Sequence, residues 1–572
     1  MKKRNDDDGA RGRQYRILFY SDGCQGYYYG LPVIPELFVA HEFAHIAGTH
    51  VDAWFPSVSY GYRTLYPSKL PDMRQIGEDC GPRFRSPTTH HWKCYYETTR
   101  QLIAQGHDPF RLLCDEARRL GLDIWPDLHV NDWHNNQGLD PSGQIMFNEL
   151  ASAFLADNPH LMLGVEHCKQ PNRYGRKYRE QQAIDLGPLQ DFRHREVRQH
   201  RLDMVREVCR EYDVDGFSLD FMRVPVFFRP QEIHENIGVM TDFVGEVRQA
   251  LDAIGAEKGR RLGLAARVPL TLAHGLEVGL DVAAWVKAGL LDILIPTPFF
   301  GCLFDAQVTE FAELVNGTRC RLYPGMDAQW SSGYKPAPNV ADYGWGFPSY
   351  HQPMRANYAY AQAMHYYRTG ADGIALYNWE SHQAEFGINN RMALMEMGNP
   401  LLIERRDKTY GVSRTTPAGQ IFFVNEQETP PLPISMAPGE PKRVTLRVAE
   451  NLAANRNLID DVKLWVNVRH YSSGDRLEVK LNGRVLEDTG GCLDQHALVV
   501  TPDMWLIFEL TEQPPEEGDN TLEITLAACN PMVDHARIPV TVTDIELDVR
   551  YKWPNGGFRP KSWYPRDRQM EY

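Results

Sequence analysis

Residues His41, Glu42 and His45, inside the stretch VAHEFAHIAGTH, have the HExxH spacing. On a helix that spacing sets two imidazoles on one face as zinc ligands, with a glutamate beside them as general base. A second pattern competes with it. Between residues 15 and 381, short apolar runs end again and again in carboxylates. Carboxyl groups gathered in one funnel raise each other's pKa, which suits them to acid–base chemistry. The elements that carry the two sets decide between them.

Eight apolar or β-branched segments recur: YRILFYSDG (15–23), GTHVDAWFPSV (48–58), LDIWPDLHVNDWH (122–134), DVDGFSLDFMR (213–223), RLGLAARVP (261–269), LDILIPTPF (291–299), RCRLYPGMDAQW (319–330) and ADGIALYNWES (371–381). Amphipathic helices fall between them. Over 194–212, Val197, Leu202, Val205 and Val208 recur at helical spacing among charges, and 239–255 and 354–370 read the same way, the last closed by Gly370. Eight strands alternating with helices predict an α/β protein of the (β/α)8 TIM-barrel class. An open doubly wound sheet shares the alternation, but no GxGxxG follows the first strand.

From about residue 405 the texture changes to strands without helices, among them RVTLRVAEN, DVKLWVNVRHY, RLEVKLNGRVL and TDIELDVRYKW, separated by SSGD, LNGR and EEGDN. That pattern predicts a C-terminal all-β, jelly-roll-like sandwich. The expected organisation is a disordered segment over 1–14, a barrel over 15–404, a sandwich over 405–553 and an irregular tail over 554–572. The sandwich is expected to buttress the barrel, since no aromatic cluster marks a binding face on its strands.

The chain has 572 residues and a net charge of −14, from 61 Lys+Arg against 75 Asp+Glu. With no long basic run, this argues against nucleic acid or an anionic membrane as partner. Aromatics make up 11% of residues, and many lie beside Gly, Pro, Asn and Asp, where rings form stacking platforms for sugars as well as core anchors. The ten cysteines are scattered singly, which favours neither a disulfide framework nor a cysteine zinc site. The charged start MKKRNDDDGARGRQ lacks a signal-peptide core, and no apolar run of about 18 residues exists. As it stands the expectation is a cytoplasmic protein, periplasmic or secreted if a leader was removed.

In a barrel the reactive side chains belong at the C-terminal strand ends. The first segment offers Asp22 there, the second His50 and Asp52, the third Asn131, Asp132 and His134. Segment four contributes Asp220 and Arg223, segment five Arg267, segment seven Asp327, and segment eight Asn378, Trp379 and Glu380. Like charges converging in one funnel raise each other's pKa, a cost that points to function. Asp220 is the best placed, because the alternation of Phe217, Leu219 and Phe221 turns Ser218 and Asp220 to the opposite face.

The segment DGFSLDFMR resembles the fourth-strand motif, DGxxLD followed by an aromatic residue and an Arg, of the glycoside-hydrolase-like TIM barrels distantly related to the amylases. LQDFRHREVRQHRLDMVREV and GADGIALYNW also look like that group. The resemblance covers most of residues 15–400. It implies glycosidic bond hydrolysis of an oligo- or polysaccharide by two carboxylates and no cofactor. Asp220 and Glu380 are the expected catalytic pair, with Asp327 in reserve, and the remaining strand-end residues are expected to bind sugar hydroxyls. The amylases carry an acid after strand five; here AARVPL offers none.

The HExxH falls at the end of the first helical stretch, without the metzincin extension, since His50 is one residue early and position 51 is Val. Ordinary helix-face residues are therefore expected. A metal-dependent barrel hydrolase using His50, Asp52, Asp132 and His134 is the alternative, although YSDG lacks the HxH with which such enzymes generally begin. A sugar-binding barrel without catalysis is the other.

Overall fold

The computed structural model describes residues 13–21, 25–28, 32–61, 63–71, 73–78, 90–132, 136–139, 145–147, 150–151, 153–164, 189–298, 302–304, 306–327, 329–331, 351–353, 356–377, 379, 388–413, 430–493 and 504–552. Each of the eight apolar segments contains a strand. They are β1 (Ile17–Ser21), β2 (Val51–Pro56), β3 (Asp123–Ile124), β4 (Asp127–His129), β5 (Gly216–Asp220), β6 (Gly263–Pro269), β7 (Ile293–Thr297), β8 (Arg321–Leu322), β9 (Gly325–Asp327) and β10 (Ile374–Tyr377). The third and seventh segments each supply two short strands.

All pair in parallel, in two five-stranded sheets ordered β9-β10-β1-β2-β3 and β8-β7-β6-β5-β4. The breaks at Trp125-Pro126 and Tyr323-Pro324 follow from proline, which has no N–H to give to a ladder. The residues at each break still bond to both sheets. Trp125 N donates to Trp54 O while Pro126 O accepts from Ser218 N; Tyr323 N donates to Leu294 O while Pro324 O accepts from Ala375 N.

Helices lie between the strands where the periodicity predicts them, at Arg195–Glu211, Ile233–Glu257 and Ala356–Arg368. The strands have two apolar faces. Ile17, Phe19, Val51, Trp54, Leu264, Ala266, Leu294, Ile374 and Leu376 join the large core shared with the helices. Alternate residues Leu18, Tyr20, Ala53, Phe55, Ala265, Ile293, Ile295, Ala375 and Tyr377 form a separate cluster with Tyr15, Trp125 and Tyr323. This period-two alternation gives a strand surface packed on both sides.

Trp125 explains the glycines that open β5 and β6. A Cβ on Gly216 would stand 2.4 Å from its ring, and one on Gly263 2.3 Å. Its indole stacks on Phe55, with centroids 5.6 Å apart. Arg13 and Gln14, expected in the disordered N-terminal segment, make contacts with the fold: Arg13 pairs with Asp123 at 2.6 Å and Gln14 donates to Asp372 O.

After residue 405 the described strands are antiparallel. One sheet is built around Ile459–Arg469 and Thr541–Tyr551, with Lys408–Gly411, Met504–Glu509 and Asp488–Leu493; the other pairs Pro441–Val448, Gly518–Ala528 and Arg476–Leu481. Burial alternates along Arg476–Leu481 as the sequence pattern requires. Helix Ala356–Arg368 docks on these sheets: Asn357 donates to Thr409 Oγ1, Tyr358 to Glu546, and Arg368 to Ala449 O. Beside it a buried Lys408–Glu450 pair is completed by the Tyr410 and Tyr551 hydroxyls. Trp465 and Trp505 meet edge-on and are buried. Among the described residues no helix is long and apolar enough to cross a membrane.

Candidate active site

Parallel register aligns His129 with Asp220 and Asp220 with Arg267, so the C-terminal ends of β4, β5 and β6 present all three side chains on the face of the second apolar cluster. Asp220 is fully buried and held at both oxygens. Oδ1 accepts from the Met222 N–H at 2.6 Å and Oδ2 from Arg267 Nη1 at 2.9 Å. Arg267 also donates to Thr297 Oγ1 and lies over the Tyr377 ring, 3.5 Å from its centroid. Burial opposes the guanidinium charge, but the Asp220 carboxylate more than compensates and raises its pKa.

Two residues earlier on each strand lie Asp127 and Ser218, themselves in register. Asp127 is pushed well above the usual carboxylate range, first by burial and then by the negative charge of Asp220. Ser218 Oγ is 3.0 Å from the Tyr20 hydroxyl, whose pKa burial also raises. The result is two adjacent carboxyl groups in unlike settings: Asp220 in an ion pair, Asp127 favouring its protonated form.

His129 is fixed at both ring nitrogens. Nδ1 is 3.2 Å from Asp132 Oδ2 and Nε2 is 3.1 Å from Ser57 Oγ. Asp132 also accepts from the Gly61 N–H. With an acceptor-only carboxylate at Nδ1, the network assigns the proton there and the lone pair to Nε2.

The expected site residues divide. Asp220, Arg267, Asp132 and Arg223 cluster, Arg223 donating to the Tyr377 hydroxyl at 3.1 Å. Asp327 ends β9 in register with Tyr377 and is buried. Asn131 bridges loops: its amide donates to Gln190 O and Val226 O and accepts from Gln190 N. His50 and Asp52 require correction. Strand β2 runs on to Pro56, so both stand at its N-terminal end, away from Asp220, and Asp52 is bound bidentately by Arg16 below β1. The apolar run continues past Asp52 through Trp54 and Phe55, so the carboxylate there marks the start of the strand and not its end. Trp379 is fully buried. Asp22, His134, Asn378 and Glu380 lie outside the described residues.

Asp127, His129, Ser57 and Tyr377 were missed. A strand break at Trp-Pro shifts the end of the third strand back to His129, and the spacing Asp127-x-His129 was the available signal that both face one way.

The HExxH residues serve the fold. Helix Pro35–Phe43 ends before His45, whose imidazole is 5.2 Å from Phe19 and is lowered to about 4 by burial and by Arg391. Glu42 is buried and accepts from Ser21 Oγ and Trp54 Nε1, pinning the helix to β1 and β2.

No protein-family model matches the chain, and no curated protein is found as a sequence relative. Among solved structures, the PgaB (BpsB) glycoside hydrolase domain of Bordetella bronchiseptica aligns with 11% identity over 68% of this chain and 99% of its own, at TM-score 0.38. A class V chitinase from Pseudomonas fluorescens aligns with 14% identity over 67% and 98%, at 0.34. A GH29 α-L-fucosidase of Bacteroides thetaiotaomicron aligns with 9% identity over 89% and 92%, at 0.31. Similarities of this size carry no functional weight, and function has to be argued from the site.

Proposed function

We propose that the chain is a glycoside hydrolase whose parallel strands form one (β/α)8 barrel over about residues 13–404, followed by a jelly-roll-like sandwich that buttresses it. The strand-end cluster around Asp220 carries the reading. An ion-paired carboxylate and aromatic rings line one face, which suits the positive charge of an oxocarbenium-like transition state. The double bonding at Trp125-Pro126 and Tyr323-Pro324 supports closure of the barrel.

In this reading Asp220 faces the developing positive charge at the anomeric carbon. Glu380, three residues beyond Tyr377, is the proton donor, with Asp327 at the end of β9 as its alternative. Arg223, Asp132, Tyr377 and His129 bind hydroxyls. A panel of aryl glycosides and polysaccharides tests it. Turnover that falls by at least about 10²-fold in Asp220→Asn is expected. Sugar binding without turnover in the wild-type protein would instead make the barrel a lectin-like module.

A further inference from the structure

We propose that Asp127, His129 and Asp220 form a binding site for a single divalent transition-metal cation, zinc being the ion their nitrogen and oxygen donors fit. The inference goes beyond the hydrolase reading and stands on the donor geometry alone. One donor atom from each of the three residues lies within 4.8 Å of the other two, and all three side chains are buried. Among the described residues they are the group with this property. The donors come from neighbouring strands in fixed register, β4 and β5, so the backbone sets their spacing. Such strand-mounted ligands are held more firmly than loop-mounted ones.

An independent observation points to a ligand. Asp127 Oδ1 is buried and has no hydrogen-bond partner, while the carboxyl is otherwise met by the Ser218 hydroxyl. A buried carboxylate oxygen with no partner is costly unless something fills its coordination. The surroundings match the outer partners of a metal site. His129 Nδ1 faces Asp132, and a carboxylate at one ring nitrogen is how metal-bound imidazoles are oriented toward an ion at the other. Nε2 now meets Ser57 Oγ at 3.1 Å, and an ion bound there would take the place of that contact. Charge agrees as well: the carboxyl groups of Asp127, Asp132 and Asp220 gather here, and Arg267 pairs with Asp220. With one imidazole and two carboxylates, the set suits zinc or manganese rather than calcium, and three protein ligands leave positions for water or vicinal sugar hydroxyls.

The test uses the full chain, stripped with chelator and reloaded with Zn²⁺ or Co²⁺. About one ion per chain is expected, with a visible Co²⁺ absorption band from nitrogen and oxygen ligands. Asp132→Asn should weaken the affinity by about 10- to 100-fold, as loss of an outer partner does, and the near-isosteric Asp127→Asn by more. No Co²⁺ band in the wild-type protein would overturn the proposal without recourse to any variant, as would equal affinity in a folded Asp127→Asn. Metal content is read without substrate, so a chain that binds zinc but cleaves no glycoside sinks only the hydrolase reading, and the converse sinks only this one.

Discussion

Replacing Asp220 by Asn keeps the shape of the side chain and removes its charge. Both partners of the Asp220–Arg267 pair are buried, so the variant leaves a guanidinium without its counter-ion. Breaking a buried pair from one side costs about 3–5 kcal/mol. The new amide oxygen still accepts from the Met222 N–H, and Arg267 keeps Thr297 and the Tyr377 ring, which returns about 1 kcal/mol. A net loss of about 2–4 kcal/mol follows, read as a fall in Tm of roughly 2–5 °C in a unit of this size. The sharper measurement is a double-mutant cycle by denaturant unfolding. Asp220→Asn and Arg267→Gln together should cost less than their sum, with a coupling of about 0.5–3 kcal/mol. Additivity within about 0.5 kcal/mol would refute the pair and the placement of Asp220 against Arg267 on which its role rests.

Three further outcomes are expected. Gly216→Ala should destabilise by about 1–3 kcal/mol in thermal melts, with a changed Trp emission, because its Cβ meets the Trp125 ring at 2.4 Å; an unchanged melt would deny Trp125 its place between the strands. Glu42→Gln should cost about 1–3 kcal/mol while leaving bound metal unaltered, since Glu42 holds Ser21 and Trp54. Loss of bound zinc in His41→Gln, which removes an imidazole that the HExxH spacing would make a ligand, would restore the metalloprotease interpretation. His365 is lowered to about 3, first by burial and then by Arg447. The unfolded chain therefore binds the extra proton, and stability present above pH 6.5 is lost as pH falls from 6.5 toward about 3. At about 1.4 kcal/mol per pH unit, His365→Phe should flatten the acid limb of a stability–pH curve by close to one proton, and an unchanged slope would contradict the burial.

Much of the architecture was legible in the residues. Period-two and period-3.6 patterns depend only on which side chains must leave water, so the eight strand segments, the helices between them and the antiparallel strands after residue 405 could all be located from composition along the chain. Asp220 was legible for the same reason: Phe217, Leu219 and Phe221 claim the helix side and leave it the other. Strand ends were not. His50 and Asp52 were assigned to the wrong end of β2, and the ends of β4 were read too late, because a carboxylate next to an apolar run looks alike at either end.

What the sequence by itself determined is local: the order and type of elements, the acidic balance, and which face of each strand turns away from the helices. Tertiary structure alone decided which of the many strand-end groups meet. The register of β4, β5 and β6 joins Asp127 to Asp220 and Asp220 to Arg267 across 93 and 47 positions of chain respectively, and it leaves the HExxH residues pinning a helix. Side-chain period is set by neighbours along the backbone, whereas charge pairing and pKa depend on atoms a few ångströms away in space, and no pattern along the chain encodes that distance.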